Sequence, residues 1–241
     1  MVVCHEVPQL NFTHPAIEFV ISNFPAPNIP SGTDSSFTTD VYDVDKNKKI
    51  FLGISSSEKY NPSHFMVVDA DDWVSKHIVQ FVENNKDANG WYVDRGYDYR
   101  VDIDRITVRD NLHLRCGSTQ ILKYSLFCSS SLSNDISLDK IDINFWNHKE
   151  MHLRFHSEDK PIDALPFAGV VYVTNSGANL YWDEKLFLKS FKGNKNRWKY
   201  LFVMYFGKLK KIFFSKKLSA KLKDEFGLSN YSIREFLKVE K

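Results

Sequence analysis

Between residues 64 and 214, short apolar stretches recur at close spacing, each bounded by turn-forming residues, and this limits the chain to a sheet-based fold. Residues 64–69, 99–108, 121–128, 141–146, 151–156, 169–174, 179–182, 198–206 and 208–214 read as strands, with 112–116 as the return from 99–108. In several of them apolar and polar residues alternate, the period at which one strand face is buried and the other solvated. Asp110-Asn111, the serine-rich run 129–135 and Asn175-Ser-Gly177 are turn or loop signals between them. After Ser215 the period changes. Residues 217–226 read as a helix with Gly227 as its C-cap, and 230–239 as a second helix. The pattern predicts an α+β chain, mainly β, with a sandwich or jelly-roll body and flanking helices. An aromatic content of 15% suits such strands.

Residues 1–60 form an irregular preface to a body at 61–241. Asn23-Phe-Pro-Ala-Pro-Asn-Ile-Pro-Ser-Gly32 carries three prolines and must be extended or turned. Residues 41–54, with Asp45-Lys-Asn-Lys-Lys49 at their centre, predict a hairpin with a polar turn. Trp73, His77, Ile78, Phe81 and Val82 give a helical stripe over 72–84.

The 241 residues suit one large domain or a domain with a decorated edge. A net charge of +2, from 32 basic and 30 acidic residues, gives no global reason to expect nucleic acid or an anionic membrane. Acidic residues are frequent between Asp34 and Asp104 and lysines between Lys185 and Lys223, which reads as solvated strand and helix faces. No apolar run approaches the roughly 20 residues needed to cross a bilayer. His5, Glu6 and Pro8 interrupt any signal-peptide core. Cys4, Cys116 and Cys128 form no CxxC pair, so reduced thiols in a soluble cytoplasmic protein are expected, with Cys116 and Cys128 in the core.

Four groups of residues could carry chemistry. Asp69-Ala-Asp71-Asp72 has the composition of a metal site, but a strand end followed by a helix N-cap explains it more economically. His148, His152 and His156 are four apart, which on a helix would align them. The alternation of Met151, Leu153 and Phe155 with His152, Arg154 and His156 favours a strand instead. On a strand His156 and Glu158 point to one side and could grip one cation. Asp142 with Glu158-Asp-Lys160 also fits a loose D…ExK nuclease pattern, although Pro161 opposes a continuous strand there.

Phe155-His156-Ser157-Glu158, followed by Phe167-Ala-Gly-Val-Val-Tyr-Val-Thr-Asn175 and Asn179-Leu-Tyr-Trp182, resembles the prolyl-hydroxylase-like branch of the 2-oxoglutarate and iron oxygenases. Asn194-Lys-Asn-Arg-Trp-Lys-Tyr-Leu-Phe202 and Tyr205-Phe-Gly-Lys-Leu-Lys-Lys-Ile-Phe-Phe214 are similar to its later strands. The resemblance covers residues 141–215 and implies a double-stranded β-helix holding iron(II) and 2-oxoglutarate. It makes His156 the first metal ligand and puts Glu158 in place of the family's aspartate. Lys208, with Lys210 as the alternative, falls where the family places a carboxylate-binding arginine, and Tyr172 joins them as a cofactor-binding candidate. A lysine there is a point charge rather than a bidentate fork. The family's second histidine has no counterpart, since no histidine follows His156. A residue from elsewhere, such as His113 or His152, would have to complete the site. The resemblance therefore implies either a divergent hydroxylase with an altered metal site or a non-catalytic binding or regulatory module on the same fold. It leaves the substrate, small molecule or protein, unspecified.

Overall fold

The computed structural model describes residues 1–10, 13–28, 35–128, 138–174 and 215–228. In chain order its strands are Val2–Cys4 (β1), Phe19–Ile21 (β2), His64–Met66 (β3), Trp73–Val74 (β4), Gly90–Tyr92 (β5), Gly96–Arg100 (β6), Arg105–Arg109 (β7), Gln120–Lys123 (β8), Asp163–Ala164 (β9) and Val170–Thr174 (β10). Its helices are Ser35–Ser56 (α1), His77–Asn84 (α2), Tyr124–Cys128 (α3), Met151–Ser157 (α4) and Ala220–Glu225 (α5). The chain is thus a mixed α and β protein in which short strands outnumber helices among the described residues. None of those helices is long and apolar enough to cross a membrane.

The chain divides into two compact units that alternate along the sequence. The first comprises Met1–Val67, Lys86–Trp91 and Gln120–Asp163, and the second Val68–Asn85, Tyr92–Thr119 and Ala164–Lys241.

In the first unit β1 and β2 pair in parallel, with Val2 opposite Phe19 and Cys4 opposite Ile21. Residues 41–54 are not the expected hairpin but part of α1. Asn47 and Ile54, seven apart and so on one helical face, are buried, and the Asn47 side-chain amide donates to Asp142 O at 2.8 Å. The polar run that resembled a turn is mid-helix, where Asp45 and Lys49 form an i,i+4 ion pair at 2.7 Å. In this unit β3 also pairs with β8 in the sheet β3-β8-β5-β9, with His64 opposite Lys123 and Met66 opposite Ile121. The expected strand at 121–128 stops at Lys123 and turns into α3, which leaves Cys128 exposed rather than in the core.

Two further expected strands in this unit are corrected. Residues 141–146 form no strand and 143–146 are a turn, where the Asp142 carboxylate accepts the Asn144 N–H at 2.8 Å and bends the chain locally. Residues 151–156 lie in α4. Met151 and Phe155, four apart, are its buried side, whereas Leu153, expected on the same strand face, is 58% exposed. Both the helical and the strand period share Met151 and Phe155, so alternation over so short a run could not separate them.

The second unit carries the sheet β4-β10-β6-β7. β10 runs antiparallel to β4 and parallel to β6, with Val171 opposite both Trp73 and Tyr97. β6 and β7 form a hairpin whose turn is at 101–104, so the expected single strand over 99–108 is two. Val101 and Ile103 continue the alternation through the turn and disguise it. Asp104 reverses the chain at φ 52° and accepts the Tyr99 hydroxyl at 2.7 Å. The return expected at 112–116 is a single 3-10 turn, entered through Asn111 at φ 53°. Trp73, Tyr99, Ile106, Val171, Val173, Phe226 and Leu228 form the core, with the Trp73 and Tyr99 rings 4.8 Å apart. The helix expected over 217–226 is the shorter α5, with Phe226 as its C-cap and Gly227, expected there, following it at φ +71°, while Ser219 Oγ accepts the Leu222 N–H to cap the other end. The strands expected over 179–182, 198–206 and 208–214, with the helix over 230–239, lie outside the described residues.

Candidate functional site

Buried charge singles out one place in the second unit. The carboxylate of Asp72 is only 8% exposed, immediately before β4. Its Oδ2 accepts the Ser118 hydroxyl at 2.7 Å and the Cys116 thiol at 3.1 Å, and its Oδ1 accepts the Val173 N–H at 3.0 Å. One side chain therefore ties three segments together: the acidic loop before β4, the run Cys116-Gly-Ser-Thr119 and the centre of β10. The loop is closed on itself as well. Asp69 N–H donates to Ser118 Oγ at 2.7 Å, and Asp72 N–H to Asp69 O at 3.1 Å. Cys116, Ser118 and Thr119 are fully buried, with Thr119 Oγ1 donating to Cys116 O at 2.9 Å. Asp69 and Asp71 stand half-buried on either side of an exposed Ala70.

This overturns the helix-cap explanation of the acidic run. α2 starts at His77, after Lys76, because Trp73 and Val74 first pair with Val171 and Val170. Ser75 Oγ, not Asp72, accepts the His77 N–H, at 3.3 Å.

The electrostatics follow from burial. Loss of hydration raises the Asp72 carboxyl to about 6, against the pull of its three donors, and the Asp69 charge adds to the rise. Burial and then the neighbouring Asp72 push the Cys116 thiol well up, so it is a hydrogen-bond donor here and not a thiolate nucleophile. Burial carries the Tyr172 hydroxyl to about 12, reinforced by Asp72, Cys116 and Asp71 and opposed by the exposed Arg115. Asp69, Asp71, Asp72, Arg115, Cys116 and Tyr172 thus share one electrostatic neighbourhood. Perturbed groups gathered in this way are a signature of functional sites.

The residues singled out from the sequence are differently placed. His156 is exposed on α4, and Glu158 follows the helix end, 3.7 Å from Arg154 Nε. Helical positions two apart are roughly 200° apart around the axis, so the pair does not fit a shared grip on one cation. His152 is half-buried on α4 in the first unit. His113 is buried in the second unit, 3.2 Å from Asp94 Oδ1 and edge-on to Tyr92 at 4.9 Å. Tyr172 is half-buried on β10, and Lys208 and Lys210 lie outside the described residues. Among the described residues no group of three or more His, Cys, Asp or Glu is placed to hold a metal ion. The iron triad implied by the resemblance is therefore not assembled by the residues described.

Cys116 and Ser118 are the partners that sequence reasoning missed. Their signal was a run of small residues just before the strand Gln120–Lys123, which has meaning only once Asp72, more than forty residues earlier, is beside it. Comparison with protein-family models, with curated proteins and with solved structures finds no match for this chain.

Proposed function

We propose that this chain is a binding protein whose ligand is phosphorylated and enters with a divalent cation at the acidic loop of residues 69–72. The observation that carries the reading is the burial of Asp72 under three donors, which costs stability at neutral pH and is explained if it holds Asp69 and Asp71 at a site. Magnesium-like cations keep several waters and use only one or two carboxylates, the rest of their shell coming from substrate phosphates. A site of this kind needs no third protein ligand. In this reading the exposed Arg115, within electrostatic reach of Tyr172, is the candidate cation for the same phosphate.

Calorimetric titration of the full chain with Mn2+, alone and with pyrophosphate, tests this. Binding of Mn2+ should tighten by about tenfold or more, about 1.4 kcal/mol, when pyrophosphate is present. The double substitution Asp69→Asn with Asp71→Asn should abolish it while the far-UV circular dichroism stays unchanged. Equal affinity in that variant, or no binding by the unaltered chain, would sink the reading. The divergent hydroxylase reading rests on the motif order of residues 141–215. The same titration with iron(II) and 2-oxoglutarate bears on it, since His156→Ala and Glu158→Ala would then remove the heat of binding.

A further inference from the structure

A second constellation lies in the first unit and uses none of the residues of the acidic loop. β1 and β2 are parallel and in register, so the residues that follow them, His5 and Ser22, emerge side by side. Ser22 N–H donates to Cys4 O at 2.9 Å and extends the ladder by one rung. His5 Nδ1 is 2.6 Å from Ser22 Oγ, and His5 Nε2 is 2.8 Å from Asp45 Oδ1 on α1. Lys49 holds the other Asp45 oxygen at 2.7 Å, and the Phe24 ring stands edge-on to the imidazole at 5.6 Å.

With the imidazole neutral and its hydrogen on the Nε2 facing Asp45, the Nδ1 facing Ser22 offers its lone pair. The Ser22 hydroxyl then donates to Nδ1; its other contact, to Phe24 O, is longer at 3.4 Å. A tie between two strand ends and a helix would account for the contacts alone. It would not require the sequence carboxylate, imidazole, hydroxyl, with a nucleophile at the half-exposed end. The two ring nitrogens have exchanged the roles they play in the serine protease arrangement, but each function is filled.

We propose that Ser22 is a nucleophile toward activated esters, with His5 as its general base and Asp45 as the residue that orients the imidazole. Ser22 Oγ attacks the ester carbonyl carbon as its proton passes to His5 Nδ1. The bond to the leaving alkoxide breaks and that oxygen takes the proton from Nδ1. Water then attacks the acyl-serine, giving one proton to Nδ1, which returns it to Ser22 Oγ as the acid leaves. Ester and water become acid and alcohol with no change of oxidation state. Because the Ser22 N–H is committed to Cys4 O, it lends no help to a developing oxyanion, and such donors are worth about a hundredfold or more in rate. Acylation by reactive probes, with slow turnover, is the behaviour this geometry supports.

The test is to treat the full chain with a fluorophosphonate probe and map the adduct by mass spectrometry. One adduct is expected, on Ser22, absent in Ser22→Ala. His5→Gln should slow its formation by about a hundredfold, the usual size of general-base assistance, and Asp45→Asn by less. No adduct at Ser22, or an unchanged rate in a folded His5→Gln protein, would reduce the constellation to a structural tie. Should His5→Gln fail to fold, the unaltered chain decides. Labelling slowed in D2O supports proton transfer to His5, and labelling at the same rate overturns it.

Discussion

Gly90→Ala is expected to leave the first unit unable to form its sheet. Gly90 opens β5 at φ +144°, a conformation side-chain-bearing residues rarely adopt, and a Cβ there would meet Ile121 O at 2.2 Å and the Leu122 Cα at 3.0 Å. Both obstacles are backbone atoms of β8, so no rotamer change relieves them. The strands would have to part, and with them the bond from Lys123 N–H to Asn89 O. A loss of more than about 4 kcal/mol, in the exceptional range for one substitution, is the expected result. Denaturant unfolding checks it, with Gly227→Ala as the control. Gly227 also has a positive φ, +71°, but open space around its Cβ, so only the conformational cost of about 1 kcal/mol should appear. Equal effects at the two positions would contradict the close approach of β5 and β8.

The second large effect is a pH dependence that runs opposite to that of a carboxylate held by an ion pair. With its carboxyl at about 6 in the folded chain and at the ordinary 3.8 when unfolded, Asp72 holds its proton more tightly in the native state. Below the lower value both states are protonated and the group contributes nothing. As pH rises from about 4 to about 6 the unfolded chain ionises first, and stability falls. Above the upper value the loss is complete, on the order of 3 kcal/mol for a shift of this size. Asp72→Asn keeps an acceptor for Val173 N–H and removes the charge, so its unfolding free energy should lack this slope. The check is the difference between the unaltered chain and Asp72→Asn, measured by denaturant unfolding across that pH range. Parallel profiles would show that Asp72 is not buried as described.

Much of the second unit was legible from local pattern. Residues 170–174 are apolar enough to be a central strand, and Gly227 sits where a helix must end. The first unit was less legible, and for a common reason. Around Asp45 the polar composition matched a turn, while the deciding facts were an i,i+4 ion pair and an Asn47 buried against Asp142, far along the chain. At Met151 and Phe155 two periods coincide over too short a window. The candidate site failed in another way. Asp72 has the local setting of a helix cap, and its partners Cys116, Ser118 and Val173 come from two distant segments. His156 and Glu158 share a face only on a strand, and the helix separates them.

The position of β10 also constrains the order in which the second unit can be made. It lies between β4 and β6, and its Val171 and Val173 are fully buried, yet it is synthesised long after both neighbours. Until residue 174 leaves the ribosome, the hairpin of β6 and β7 and the two-residue β4 each present an open edge with nothing to complete it. Pairings so distant in sequence close slowly. A nascent chain of this protein therefore carries unpaired strand edges between translation of Arg100 and of Thr174, and synonymous changes that alter elongation speed there are expected to change its yield without altering a single residue.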